Sequence, residues 1–166
     1  MILYVIVITA LLGGTAAIFM KQLYDEKRRS TILSIKEAVM LTDFPILTFN
    51  NNGVKLRFLL DTGSNRNIIR SNILPSLVIT DRAESDESMK LHNIGDNTIS
   101  SNMYLICFNY DSLKFRAAFL SMDECAGFDK IKEESGVEVN GILGAPFMTK
   151  YKYILDLDNL KVKINK

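Results

Sequence analysis

The sequence of 166 residues contains no tryptophan, a single histidine and only two cysteines. One histidine excludes a histidine-rich metal site, and a Ser-His-Asp or Cys-His enzyme would have to use His92 as its base. Two cysteines do not make a disulfide framework. Cys107 and Cys125 can form one bridge, but a cysteine in an apolar run, as at Cys107, is more often a small core residue. The net charge of +1 gives no indication of nucleic-acid binding.

The N-terminal stretch, residues 1–20, lacks charged side chains altogether. As a helix it would be about 30 Å long, which matches the hydrocarbon core of a bilayer. We expect a single-pass transmembrane anchor here, with the lipid bilayer as its partner. The alternatives are a cleaved signal peptide and a buried core helix. Small residues at 13–17 resemble a cleavage region, although no basic region precedes Ile2, and a uniformly apolar core helix at a chain terminus is the least favoured of the three. Basic residues follow the stretch, which predicts a cytoplasmic C-terminal side: Lys21, Lys27, Arg28, Arg29 and Lys36.

Beyond the apolar stretch the chain divides into a connection and a globular domain. Apolar residues over 21–42 are irregularly spaced. This spacing is compatible with a continued helix, a linker, or a helix that leads into a strand, and we assign residues 21–42 to a juxtamembrane linker. Residues 43–166 form the predicted domain, with short apolar runs between turn signals such as Asn50–Gly53, a pattern typical of a small β-barrel or sandwich. Strands are predicted over 44–49, 54–60, 103–110, 114–122, 137–143, 153–157 and 161–164, with short helices around 128–134 and after Pro146.

The most distinctive motif lies directly after the predicted strand over residues 54–60. Asp61 comes at the strand end, a rigid position that suits a catalytic carboxylate. Gly63 lets the backbone turn close to that carboxylate because it has no Cβ. The hydroxyl groups of Thr62 and Ser64 can donate hydrogen bonds to the turn or to the carboxylate. The same four residues are also ordinary turn chemistry, so the motif alone decides nothing.

A second block downstream makes the motif more specific: Asn140-Gly141-Ile142-Leu143-Gly144-Ala145-Pro146-Phe147. In this order the two blocks resemble those of the retropepsin-like aspartic proteases, the single-domain relatives of retroviral proteases. The resemblance covers about residues 44–164. It implies a mainly β fold, a small closed acid-protease barrel with one or two short helices. The expected transmembrane helix precedes this domain and lies outside the family pattern.

The resemblance also implies roles for individual residues. Asp61 would be the catalytic carboxylate, and a hairpin with Ile94 and Gly95 would be a flap that closes over the substrate. Seven further residues would support the site: Thr62, Gly63 and Ser64 in the active-site loop, and Gly141, Ile142, Leu143 and Gly144 in the second block.

A pepsin-type site needs two aspartates that share one proton, because two close carboxylates cannot both ionise cheaply. The chain has one Asp-Thr-Gly triplet, so the resemblance implies a homodimer with one Asp61 from each chain. A water between the two carboxylates would attack an extended peptide substrate. This chemistry needs no metal and no cofactor.

Two features depart from the family pattern. The expected flap tip is polar at Asp96 and Asn97, and Ala145-Pro146 stands where many relatives have a polar residue. One alternative is a non-catalytic, membrane-anchored binding or scaffold domain with the same fold. Another is a hydrolase that uses His92, but the chain has no Gly-x-Ser-x-Gly nucleophile motif and His92 lies in a polar stretch.

Overall fold

The computed structural model describes residues 31–83, 102–123 and 125–164. Within these ranges no helix is both long and apolar enough to cross a membrane. The predicted anchor over residues 1–20, His92 and the predicted flap residues Ile94 and Gly95 all lie outside the described residues.

The described chain is mainly β, with few helices. The α helices are α1 (Lys36–Thr42), α2 (Ala126–Ser135) and α3 (Ala145–Lys150), and a 3₁₀ helix spans Ser71–Ser76. These exceed the one or two short helices predicted. The strands are β1 (Thr31–Ser34), β2 (Ile46–Asn51), β3 (Val54–Leu60), β4 (Ile68–Arg70), β5 (Ile79–Ala83), β6 (Met103–Tyr110), β7 (Leu113–Met122), β8 (Gly141–Leu143), β9 (Tyr153–Asp156) and β10 (Lys161–Ile164).

Six strands close into a barrel in the order β2-β3-β8-β4-β7-β6, and β6 returns to β2 where Asn109 pairs with Asn50. Strand β5 lies along the outer edge of β6. Strand β8 runs parallel to β3 and antiparallel to β4. Because β8 lies between them, it joins the strand that ends before Asp61 to the strand that follows the same loop. The prediction of a closed, mainly β barrel is confirmed.

Alternating side chains fill the barrel, as the two-residue period of a strand requires. In β7 the residues Leu113, Phe115 and Phe119 are buried, whereas Lys114 and Arg116 between them are exposed. Aromatic rings from several elements meet in this core, where they pack in stacked, tilted and edge-to-face pairs. The rings are those of Phe49, Phe58, Phe108, Phe115, Phe119 and Phe147.

The alternation corrects the position predicted for Cys107. Ile106 and Phe108 occupy the inner face of β6, so the side chain of Cys107 is exposed instead of packed in the core. Cys125 is half-buried, and both cysteines are free thiols. The structure therefore contains no bridge between Cys107 and Cys125.

A second, three-stranded sheet contains residues assigned above to the linker. Strand β1 pairs with β10, which pairs with β9. Leu33 and Ile35 are fully buried, and the Ile35 N–H donates to Leu160 O at 3.0 Å. Residues 31–42 thus belong to the folded unit, which begins before the boundary predicted at residue 43. The sequence pattern missed β1 because it has four residues and its partner strand lies at the far end of the described chain.

Candidate active site

Asp61 is the first residue after β3. Its N–H donates to Leu143 O at 3.1 Å, which extends the parallel pairing of β3 and β8 by one residue. Its carboxylate Oδ1 accepts the Gly63 N–H at 2.9 Å, and its carbonyl accepts the Ser64 N–H at 3.2 Å. The side chain is only half-buried. The strand and the turn therefore fix the carboxylate in place while leaving it accessible.

A Cβ at Gly63 would make a tight contact of 3.3 Å with Asp61 Oδ1, so glycine relieves crowding beside this hydrogen bond. Thr62 is exposed. The hydroxyl group of Ser64 bonds to the loop rather than to the carboxylate: it donates to Arg66 O at 2.8 Å and accepts the Arg66 N–H at 3.4 Å. Ser64 therefore stabilises the backbone between Asp61 and Arg66.

The second block packs against the loop that follows Asp61. The Ala145 N–H donates to Ser64 O at 2.8 Å. A Cβ on Gly144 would lie 2.6 Å from Ser64 O and would overlap Arg66 O. A Cβ on Gly141 would likewise overlap the carbonyl of the neighbouring strand β4. Both glycines are thus required by close backbone approach, so the structure brings the two sequence blocks into direct contact.

Ile142 and Leu143 of the second block lie on opposite faces of β8. Leu143 is fully buried in the main core. Ile142 is half-buried and packs against a smaller cluster that includes Phe128 of α2 and Val139. The strand that supports the Asp61 loop is therefore held by apolar packing on both of its faces.

Two buried asparagines hold the site together, and the sequence analysis gave neither a role. Asn67 Oδ1 accepts the Gly144 N–H at 3.0 Å, and its Nδ2 donates to Ala118 O at 3.0 Å. Its own carbonyl accepts the Leu120 N–H at 3.0 Å. One side chain thus connects the loop, the second block and β7. The available signal was a polar residue directly before the apolar pair Ile68 and Ile69, since buried side-chain amides usually bond to backbone groups.

Asn140, directly before β8, likewise connects separate parts of the chain through hydrogen bonds to backbone groups. Its Oδ1 accepts the Arg57 N–H at 2.8 Å, and its N–H donates to Arg57 O at 2.8 Å. Its carbonyl accepts the Arg70 N–H at 2.8 Å. Asn140 therefore links β3 to β4 directly before β8 begins.

The charge pattern around the loop is simple. Arg66 is exposed, five residues after Asp61 in sequence. The Arg70 guanidinium forms an ion pair with Asp129 at 2.8 Å, which joins the end of β4 to α2. Among the described residues, no ion pair involves Asp61 or Arg66, and no group of three His, Cys, Asp or Glu side chains lies close enough to hold a metal ion. An accessible carboxylate of this kind can take or give a proton.

No protein-family model and no curated protein matches the chain. Solved structures similar to it include two proteases and a protease-like domain. EIAV protease complexed with an inhibitor is 15% identical, with 69% of this chain and 93% of that chain covered and a TM-score of 0.48. The retroviral protease-like domain of Ddi1 from Leishmania major is 15% identical, with 72% and 93% covered and a TM-score of 0.45. A retropepsin-like aspartic protease from Rickettsia conorii is 13% identical, with 82% and 91% covered and a TM-score of 0.48.

Proposed function

We propose that this chain is an aspartic endopeptidase that is active as a homodimer. The proposal rests on the hydrogen bonds that hold Asp61 and its loop in place. Its carboxylate is accessible, accepts the Gly63 N–H at 2.9 Å, and stands on a loop that is bonded to β8 and α3. A catalytic group has to be held this firmly by rigid elements to act on a substrate.

The second carboxylate comes from a second copy of the chain, because the sequence has one Asp-Thr-Gly triplet. In a two-fold symmetric dimer the two Asp61 side chains meet on the axis. One proton is shared between them, since both cannot ionise at short distance. The ionised Asp61 removes a proton from a water molecule, and the protonated Asp61 polarises the carbonyl group of the scissile bond. The substrate is an extended peptide that pairs with strand edges of the enzyme.

The proposal includes an anchor at residues 1–20 and a cytoplasmic protease domain. Confinement to one membrane plane raises the effective concentration of the domain and favours dimers. Sealed vesicles with the cytoplasmic face outward test this part. Added trypsin should digest the domain without detergent. If the domain is protected until detergent is added, it lies on the opposite side of the membrane from the one proposed.

The enzymatic proposal is tested by cleavage of an unfolded protein mixture with the full chain in mild detergent. Wild type is compared with Asp61→Asn from acid to neutral pH and over a range of protein concentrations. We expect cleavage by wild type, a rise with concentration steeper than linear, and a loss of about 10³-fold or more in Asp61→Asn, because the variant lacks the ionisable pair.

Asp111→Asn is the matched control, because Asp111 is exposed in the turn between β6 and β7 and has a φ of 49° that asparagine tolerates. It should cleave as wild type does. If wild type is inert although folded and dimeric, the chain is a binding or scaffold domain. If Asp61→Asn cleaves as well as wild type, Asp61 is not the catalyst.

A further inference from the structure

The outer face of the three-stranded sheet β1-β10-β9 is open and carries apolar side chains. Its register places Ile32 of β1 opposite Lys163 of β10, and Lys163 opposite Ile154 of β9. Side chains that lie opposite one another in a sheet are on the same face, so these three form one row. Ile32 and Ile154 are at least half exposed, whereas Leu33 and Val162 are buried on the inner face. The open face therefore presents two isoleucines with a lysine between them.

Helix α1 extends this face beyond the sheet. Ser34 lies on the same side of β1 as Ile32 and lines a groove of about 460 Å³ together with the exposed side of α1. The other residues that line the groove are Lys36, Glu37, Met40 and Leu41. Of the seven large apolar side chains that are exposed in the described chain, four thus belong to this surface: Ile32, Met40, Leu41 and Ile154. We call the outer face of the sheet and the exposed side of α1 the amphipathic surface.

The amphipathic surface also carries lysines that can bind anions. Lys161 lies 3.9 Å from the carboxylate of Asp156 on the same face, and the two charges offset each other. Lys36 and Lys163 form no ion pair in the described part of the chain. Glu37 is the acidic side chain among the residues that line the groove. Lysines beside exposed apolar side chains suit the interface of an anionic membrane, because the stems lie along apolar groups while the ammonium groups reach the headgroups.

The preceding part of the chain favours a lipid bilayer as the partner of this surface. Strand β1 begins at Thr31, and the ten residues 21–30 separate it from the uncharged segment 1–20 that we propose as the anchor. Ten residues span at most about 35 Å, so the start of β1 stays close to the bilayer. These ten residues include four basic and two acidic side chains, which an anionic leaflet also attracts. The amphipathic surface, which includes β1, is therefore brought to the bilayer by its own tether.

We propose that the amphipathic surface docks onto the bilayer, with its four apolar side chains in the headgroup region and with Lys36 and Lys163 on anionic headgroups. This inference rests on the anchor that the proposed function includes, and it adds a second contact between the domain and the membrane. A domain that is held at two points has a fixed orientation on the membrane, which a tether alone does not give. Asp61 takes no part in this contact, so cleavage in detergent tests the catalytic proposal separately.

The chain contains no tryptophan, so a single introduced tryptophan reports its own surroundings. The full chain with Ile154→Trp or Met40→Trp is reconstituted into vesicles of phosphatidylserine and phosphatidylcholine in equal parts, with the phosphatidylcholine either normal or brominated on its acyl chains. We expect emission at short wavelength that brominated lipid quenches. Val78→Trp is the matched control, because Val78 is also exposed but lies directly before β5, outside the amphipathic surface. Its emission should be the same in both kinds of vesicle.

The contribution of charge is tested in the Ile154→Trp variant. Lys163→Glu should reduce the quenching, and so should vesicles without phosphatidylserine or a salt concentration of about 1 M, at which charges are screened beyond about 3 Å. Lys114→Glu is the matched control, because Lys114 is exposed on the barrel strand β7, and it should leave the quenching unchanged. Urea unfolding of each variant verifies that the domain is folded. Quenching that none of these changes reduces would overturn the contact with anionic headgroups.

A wash with alkaline carbonate separates this inference from the anchor. If the chain stays in the vesicles but neither position is quenched, the inference is overturned and the anchor stands. If the wash removes the chain although both positions were quenched before it, the inference is supported and the anchor is overturned. Emission at short wavelength without quenching means that a second copy covers the surface, and quenching at Val78→Trp as well means that no particular surface docks. Both of these results overturn the inference, and a chain that does not bind vesicles at all overturns both the inference and the anchor.

Discussion

At the scale of single residues, Gly144 determines how closely the second block approaches the Asp61 loop. Its N–H bonds to Asn67, and its Cα lies against the carbonyls of Ser64 and Arg66. These neighbours are backbone atoms of a bonded loop, which cannot move aside as a flexible side chain would. A single methyl group at this position would therefore displace the loop that holds Asp61.

We expect Gly144→Ala to lower the free energy of unfolding by about 1–3 kcal/mol or more, in the range of overpacked sites. Cleavage activity should fall further than stability explains, because the Asp61 loop shifts. Urea unfolding measures the first effect, and initial rates under conditions where the variant is folded measure the second.

Gly127→Ala is the control for this change. Nothing lies within 4 Å of a Cβ at Gly127, which is in helix α2. Alanine in a helix is preferred over glycine by up to about 1 kcal/mol, so the control should be as stable as wild type or slightly more stable. If Gly144→Ala and Gly127→Ala have equal unfolding midpoints, the carbonyls of Ser64 and Arg66 do leave room for a Cβ at Gly144.

At the scale of elements, strand β1 joins the start of the described chain to its end. It pairs with β10, so that Leu33 lies opposite Val162 on the inner face, whereas Ile32 lies opposite Lys163 on the outer face. Leu33 is 0% exposed and Ile32 is 57% exposed. Two neighbouring apolar residues of one short strand thus have opposite environments.

This difference predicts opposite results for two alanine substitutions. Leu33→Ala should lower the free energy of unfolding by about 2–5 kcal/mol, since it removes a fully buried side chain and leaves a cavity. Ile32→Ala should change it by no more than about 0.5 kcal/mol, as is usual for surface positions. Urea unfolding of the full chain measures both. Similar small effects would mean that β1 does not belong to the folded unit.

At the scale of the whole molecule, the proposed enzyme needs two chains for one site. Mixing wild type with Asp61→Asn therefore reports how many chains contribute a carboxylate. In a one-to-one mixture, random pairing leaves about a quarter of the dimers with two wild-type chains. At fixed total protein, activity should fall to about a quarter of the wild-type value, whereas a site contained in one chain would keep about half.

The mixture is prepared by incubating both chains in detergent until they exchange, and its cleavage rate is measured over a series of mixing ratios. Activity should follow the square of the wild-type fraction. Mixtures with Asp111→Asn should stay at the wild-type rate throughout. A straight-line dependence on the Asp61→Asn fraction would contradict the shared site.

Features that depend on neighbouring residues could be predicted from the amino-acid sequence. Alternating burial in β7 and positive φ at Asn52 and Gly53 in the predicted hairpin turn follow from local chemistry. The bond from Gly63 N–H to Asp61 Oδ1 joins residues two positions apart. Such contacts form at little cost in chain entropy and leave a recognisable pattern.

Features that join distant parts of the chain became visible in the folded structure alone. Asn140 reaches Arg57 and Asn67 reaches Gly144 across 83 and 77 positions in sequence. The sequence pattern does not say which distant backbone groups a buried asparagine bonds to, so these partners were not predictable. Strand β1 became part of the domain because β10 offered it a partner edge. Arg66 lines one pocket together with residues of β6, β7 and α3, which lie far from it in sequence.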